Sequence, residues 1–244
     1  MLSNHEDHDA VGDNIIAKEG SWVFSGDVPK KFLEHIKRSV PYYNEGHDLI
    51  CKLSEFFIKD NTICYDLGCS TAALTGKLAK HHALLHHALF VGIDVEQNMI
   101  EQARKDVASQ ASIELIVDNI ATHPYKRSDL MVAYYTLQFI PPRFRQDVIN
   151  AIYAALTPGG GFIVFEKIKD PDEKIQDMME KLYVDFKLSQ NFTPAQIAAK
   201  ARSLKGVLQP LSCAENLNML KKAGFAHTAT IFKHICFEGY LAIK

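Results

Sequence analysis

The 244-residue chain has no Cys-x-x-Cys pair, no excess of basic residues, no apolar run long enough to span a bilayer, no internal repeat and no low-complexity segment. Each absence removes a class of function. The five cysteines, Cys51, Cys64, Cys69, Cys213 and Cys236, are odd in number and scattered. That usage argues against a disulfide scaffold and fits a reducing compartment. Lys and Arg number 27 against 29 Asp and Glu, a formal net charge of -2, so no basic field draws the chain to phosphate backbones. Direct nucleic-acid binding is not expected. The opening residues are polar and acidic (HEDHDAVGDN) and lack the basic start and apolar run of a secretory signal. With no membrane partner implied, the expected location is the cytoplasm. The segment HHALLHH, His81 to His87, offers imidazoles at helical spacing. No acid or cysteine accompanies them nearby in sequence, so no metal site is expected.

With 47% hydrophobic and 23% charged residues, the composition is that of a globular chain with one substantial core. Short apolar runs (TICYDLG, LFVGIDV, IELIVDNI, SDLMVAYYTL and GGFIVFEKI) alternate with segments of helical periodicity at 72–81, 97–109 and 142–156. Strands alternating with helices predict an α/β fold with a mostly parallel sheet covered on both faces. Residues 1–14 are expected to form a disordered tail, and 15–244 a single domain. Within it, 15–60 read as a helical preface on either side of Pro41, 61–167 as the core, and 168–210 as a helical cap insert. Residues 211–244 read as a closing helix and strand pair. Ser212-Cys-Ala-Glu215 has the form of a capping box, and Gly224 stands where a helix ends on a left-handed residue.

One stretch carries the chemistry. In ICYDLGCSTAALTGKLA, Asp66 ends a strand and Gly68 permits a turn that a Cβ would obstruct, while the small Cys69, Ser70 and Ala72 let the next helix crowd a ligand. Two further strands close on acids. Asp94 ends FVGIDV, where a carboxylate meets ribose hydroxyls, and Asp118 and Asn119 end IELIVDN, within reach of a purine amine. Singly each is a turn or a helix cap. Together they describe a nucleoside pocket at the carboxyl edge of a sheet.

With these residues in view, the chain resembles the class I S-adenosylmethionine-dependent methyltransferases. The resemblance rests on Y-D-L-G-C-S, G-I-D, D-N-I and the loop LTPGGGFIVFEK, and runs from about Pro41 onward. It implies a Rossmann-like, seven-stranded, mostly parallel sheet with an antiparallel last strand, and S-adenosylmethionine as cofactor. It assigns Asp66, Gly68, Cys69 and Ser70 to the methionine side, Asp94 and Val95 to the ribose, and Asp118, Asn119 and Ile120 to the adenine. Ser70 and Ala72 stand in for two of the family's usual glycines.

A narrower similarity is to the carboxy-S-adenosylmethionine synthase branch, through WVF, RSVPYY, YDLGCS, TLQF and EKI. It places Tyr43 and Tyr134 against the cofactor. It also implies a carboxylated donor made with carbon dioxide released from prephenate and destined for a tRNA wobble uridine. That branch expects Asn at 95, Asp at 119 and Asn at 134, and an arginine for the added carboxylate where this chain has Ala201, flanked by Lys200 and Arg202. A one-residue shift rotates a helical side chain by about 100°. The first reading is therefore a methyltransferase acting on a small-molecule acceptor, with Tyr134, Tyr135 and Glu166 as catalytic candidates and Arg38 and Arg202 as substrate-binding candidates. The carboxy-donor synthase is the alternative, and a non-catalytic partner protein a third reading. The apolar insert makes a homodimer plausible.

Overall fold

The computed structural model describes residues 10–12, 15–16 and 28–244. The WVF motif at 22–24 and residues 1–9 lie outside the described residues. Ala10–Gly12 (β1), expected inside a disordered tail, instead pairs antiparallel with Ile15–Ile16 (β2). Two amphipathic helices follow, α1 Val28–Ser39 and α2 Tyr43–Ser54, parted as expected at Pro41. The alternating core runs β3 Ile63–Leu67, α3 Ala73–His81, β4 Leu89–Asp94, α4 Gln97–Asp106, β5 Ile113–Val117, β6 Ser128–Tyr134, a 3-10 turn at Leu137–Phe139, α5 Pro142–Ala155 and β7 Leu156–Lys167. Then come α6 Glu173–Ser189, α7 Pro194–Ser203, α8 Cys213–Ala223, β8 His227–His234 and β9 Phe237–Ile243.

Seven strands form one sheet in the order β5-β4-β3-β6-β7-β9-β8. Every core pairing from β5 to β7 is parallel, and β9 runs antiparallel to both β7 and β8. The expected fold class is thus observed. The central strands read as continuous apolar runs because both faces are covered. On one face Leu67, Ile93, Met131 and Phe162 pack with Ile149, Ile152 and Leu220 of α5 and α8. On the other, Cys64, Phe90, Leu130 and Ile163 pack with Ile50, Leu74 and Leu78 of α2 and α3. The Ser212–Glu215 capping box forms at the start of α8, with Glu215 N–H donating to Ser212 Oγ (3.2 Å) and Ser212 N–H to Glu215 Oε2 (2.7 Å). Gly224 closes the helix at φ 108°.

The strand order reverses between β3 and β6, on either side of the first βα turn. An open α/β sheet leaves a crevice there, beyond its carboxyl ends. Helices α1, α6 and α7 wall it.

Candidate active site

A cleft of about 1120 Å³ opens at that edge. Its floor is the turn after β3. Gly68 sits at φ +74°, and a Cβ there would fall 2.4 Å from the Thr136 side chain, so only glycine fits. The N–H groups of Gly68 and Cys69 both donate to the carbonyl of Ile93 (2.7 and 3.0 Å), tying the tip of β3 to that of β4. Ser70 (φ 52°) and Ala72 (φ 58°), in place of the family's glycines, hold the left-handed conformation themselves. For an L-residue this costs about 1 kcal/mol. Such strain persists where the surroundings over-determine the backbone, as they do at ligand sites.

Asp94 is oriented by two backbone donors, Ser70 N–H at 2.8 Å and Glu96 N–H at 3.0 Å. Burial raises its pKa above the usual carboxylate value, against the pull of those bonds. Each of its oxygens keeps a second lone pair for a pair of hydroxyls. Asp66 is buried, accepts the Thr75 hydroxyl (2.6 Å), and is pushed up to about 6 by desolvation. Asp118 accepts Asn119 N–H (2.7 Å) and meets His123 Nδ1 (2.8 Å), which lowers its pKa and shapes the loop that presents Asn119 and buried Ile120. Val95 is exposed at the rim.

Tyr43, Tyr134 and Tyr135 stand together at the other side of this floor. Tyr134 donates its hydroxyl to the Tyr43 carbonyl (2.8 Å), and its ring lies 5.2 Å from that of Tyr43 and 4.6 Å from that of Tyr135. Gly46 makes the arrangement possible, since a Cβ there would lie 2.1 Å from the Tyr134 oxygen. Tyr135 is buried in a left-handed turn at φ 60°. Burial pushes both phenols well above their ordinary pKa.

The nucleoside-side expectations, Tyr43, Asp66, Gly68, Cys69, Ser70, Asp94, Val95, Asp118, Asn119, Ile120 and Tyr134, all line the cleft, as does Tyr135. Three other expected residues do not. Glu166 points to the opposite face of the sheet, among Arg145, Asn216 and Tyr240, where the carboxyl accepts the N–H groups of Leu137 and Gln138. Burial raises it to about 8, so it is an internal strut and not a cleft acid. Strand alternation explains the miss: Glu166 follows a core-facing Phe165 and changes face. Arg38 donates through Nε and a terminal nitrogen to the carbonyl of Gln190 (3.0 and 2.7 Å) and lies 4.5 Å over the Phe192 ring, bracing α1 against the α6–α7 turn. Arg202 is exposed and does not line the cleft, the rotation its position on α7 implied.

Sequence reasoning missed the group that lines the cap side. Lys167, Lys187 and Lys200 face the cleft from β7, α6 and α7, together with His35, Ser39 and Tyr183. Lys200 donates to Ser39 Oγ (2.9 Å) and bonds His35 Nε2, while Tyr183 donates to the Ser39 carbonyl (2.9 Å). His35 is held neutral, down to about 2, by burial and by Lys200 and Lys187. His47, between Tyr43 and Tyr134, is lowered to about 3, mainly by burial. Nothing local marks a lysine that tertiary packing will bury. Among the described residues no group of three His, Cys, Asp or Glu is placed to hold a metal ion, and no helix is long and apolar enough to cross a membrane.

Comparison with known proteins agrees with this geometry. Residues 64–160 match the sequence model of a methyltransferase domain. Human N-acetylserotonin methyltransferase, solved in complex with S-adenosylmethionine, superposes with a TM-score of 0.64 at 17% identity, over 90% of this chain and 56% of that longer one. A SAM-dependent methyltransferase from Aquifex aeolicus superposes at 0.58 and 15%, over 88% and 97%. These share the class I methyltransferase fold. Among curated proteins, the carboxy-S-adenosyl-L-methionine synthase of Campylobacter lari is 36% identical over 95% of this chain and 99% of its own, and that of Staphylococcus epidermidis 34% over 91% and 97%. The chain belongs to the family of those synthases, a branch of the S-adenosylmethionine-dependent transferases. It is an enzyme that uses S-adenosylmethionine.

Proposed function

We propose that the enzyme joins a carboxyl group to the sulfonium methyl of S-adenosylmethionine, the activity for which its relatives are named. Tyr43, the turn from Gly68 to Ser70, Asp94 and the Asn119–Ile120 loop would hold the nucleoside and sulfonium. The cradle fits, because Gly68, Ser70 and Asp94 line the cleft, and each Asp94 oxygen, engaged by one backbone N–H, keeps a lone pair for a hydroxyl. Bound there, S-adenosylmethionine supplies a methyl carbon that is activated by the adjacent positive sulfur.

The observation that carries the proposal is the likeness to those synthases over nearly the whole of both chains, together with a cleft that is acidic at the strand tips and carries Lys167, Lys187 and Lys200 on its cap side. Prephenate, implied by the family resemblance, can bring both the carboxyl and the base: it yields phenylpyruvate, carbon dioxide and hydroxide as it aromatises. Hydroxide takes a proton from the sulfonium methyl to give water, and that carbon bonds carbon dioxide. The residues' part is to align the two compounds and exclude water.

Incubation of the protein with S-adenosylmethionine and prephenate, followed by mass spectrometry, tests this. The expected product is the sulfonium heavier by one carbon dioxide, formed only when prephenate is present. Methylated small molecules accompanied by S-adenosylhomocysteine would instead establish the direct methyltransferase reading. The reading keeps the enzyme's partners to small molecules and its place to the cytoplasm. Exposed Ile175, Met178, Leu182 and Leu188 along α6 support the expected homodimer, which light scattering in solution checks.

A further inference from the structure

Lys187 is 6% exposed, yet its ammonium meets no carboxylate among the described residues. Its neighbour there is the ring of Tyr183, 4.5 Å from Nζ to centroid, and the Nζ of Lys167 lies 4.6 Å from the same centroid. Both lysines line the cleft. A buried cation is normally paired, because desolvating an ammonium without a partner costs several kcal/mol. Two cations beside one aromatic ring repel each other, and cation–π contact offsets only a fraction of that. A folded protein keeps such a pair where something anionic completes it.

Tyr183 is itself fixed. Its hydroxyl is bonded to the Ser39 carbonyl (2.9 Å), and its ring packs edge-on against Phe237 (5.2 Å), which packs in turn on Tyr135 (5.7 Å). This aromatic row runs from the lysine pair to the turn after β6, next to Gly68 and Tyr43, which on the reading above would hold the sulfonium. The pair therefore stands at the reacting end of the cleft, opposite the acids that face the nucleoside.

We propose that Lys167 and Lys187 form a carboxylate-binding subsite, which holds a carboxylate group of the reacting small molecule against the Tyr183 ring. The proposal rests on the carboxyl-transfer reading for its substrate class, and on buried Lys187 beside half-buried Lys167 for its place. It gives this chain a cationic seat made of two lysines on β7 and α6, where position 201 of α7 carries alanine. The carboxylate has two possible sources, the carboxyl donor and the carboxymethyl group of the product, and both present the same chemistry to two ammonium groups.

The test is calorimetric titration of the full-length protein, wild type and Lys187→Met, with prephenate, phenylpyruvate, synthetic carboxymethyl sulfonium and S-adenosylmethionine. Lys187→Met is expected to weaken at least one of the carboxylates by about 30-fold, the loss of a charged hydrogen-bonded contact, while S-adenosylmethionine stays within about twofold. Loss confined to prephenate and phenylpyruvate assigns the seat to the carboxyl donor. Loss confined to the carboxymethyl sulfonium assigns it to the product. Lys187→Arg should restore most of the affinity. Thermal unfolding of Lys187→Met should be no lower than that of the wild type, since a buried methionine is easier to accommodate than an unpaired ammonium.

Equal carboxylate affinities in the wild type and Lys187→Met would overturn the subsite, as would a wild type that binds none of the three carboxylates. If carboxylates bind through Lys187 but no carboxymethyl product forms, the subsite stands and the proposed reaction falls.

Discussion

The two ends of the cleft are built by different means. At the nucleoside end each group stands on a strand tip or on the turn that follows it. Asp66 lies on β3 and Asp94 closes β4, in a register that pairs Asp66 with Gly92 and Asp94 with Val117. Backbone N–H groups orient the side chains, and the charges are acidic. At the cap end the groups come from α1, α6, α7 and β7, with 165 residues separating His35 from Lys200, and the charges are mostly basic, with Glu180 at the lining as well. The first end suits hydroxyls, an amine and a sulfonium, and the second suits an anion. One cleft thus carries opposite polarity at its two ends, which fixes the direction in which a charged donor and a charged co-substrate can lie.

The comparison is most sharply tested by removing the acid that anchors one end. Asp94→Ala should weaken S-adenosylmethionine about 100-fold in calorimetric titration, by loss of charged hydrogen bonds, and leave carboxylate binding at the cap end within about threefold. Equal losses of both ligands would mean the two ends are not separable.

A smaller effect comes from the dry wall between them. His47 is lowered to about 3 and its Nε2 has no hydrogen-bond partner. The unfolded chain takes up a proton at this histidine below about pH 6.5 while the folded chain does not, so stability falls as pH drops through that window. His47→Phe, which keeps a ring beside Tyr43 and Tyr134, should be more stable than the wild type by about 2 kcal/mol at pH 5 and by much less at pH 7.5 in denaturant titrations. A constant difference at both values would remove protonation as the cause.

Glu166 gives the opposite slope. Raised to about 8, it is protonated in the folded chain and ionised in the unfolded one between about pH 4.5 and 8, so its contribution declines as pH rises through that range. Glu166→Gln should be more stable than the wild type at pH 8 and little changed at pH 4.5 in denaturant titrations. Turnover should stay within about twofold, because the side chain lies outside the cleft. A large loss of turnover would return Glu166 to the chemistry.

The smallest expected change is at the floor of the nucleoside end. Ser70→Gly removes a left-handed L-residue and should stabilise by about 0.5 kcal/mol, after the greater entropy of glycine in the unfolded chain is counted. Thermal unfolding measures it.

How much of this was legible beforehand differs between the same two ends. Asp66, Gly68, Asp94 and Asn119 could be read because each is fixed by local sequence, a strand followed at once by its turn, and the parallel sheet brings all such turns to one edge. Ser70 and Ala72 were read as space-savers, and their left-handed backbone came as an addition. Glu166 was misread because it closes a strand just as Asp66 and Asp94 do, and which face a strand-end residue takes depends on the register of β7 with β6 and β9. Arg38 and Arg202 were chosen for their charge, yet Arg38 is spent on the Gln190 carbonyl and Arg202 is turned outward by helix phase. Lys187 gave no signal at all, since a lysine on an amphipathic helix reads as solvated until another element covers it.

By itself the sequence determined the alternation of strands and helices, the seven-stranded sheet and the acids gathered at its carboxyl edge, because hydrophobic period, turn chemistry and capping act over a few neighbouring residues. Tertiary structure alone decided which cations lose their water, which acid is hidden behind the sheet and which aromatic rings line the cleft. Desolvation is a property of what covers a side chain, and α1 meets its covering residues Tyr183 and Lys200 from more than a hundred residues away along the chain.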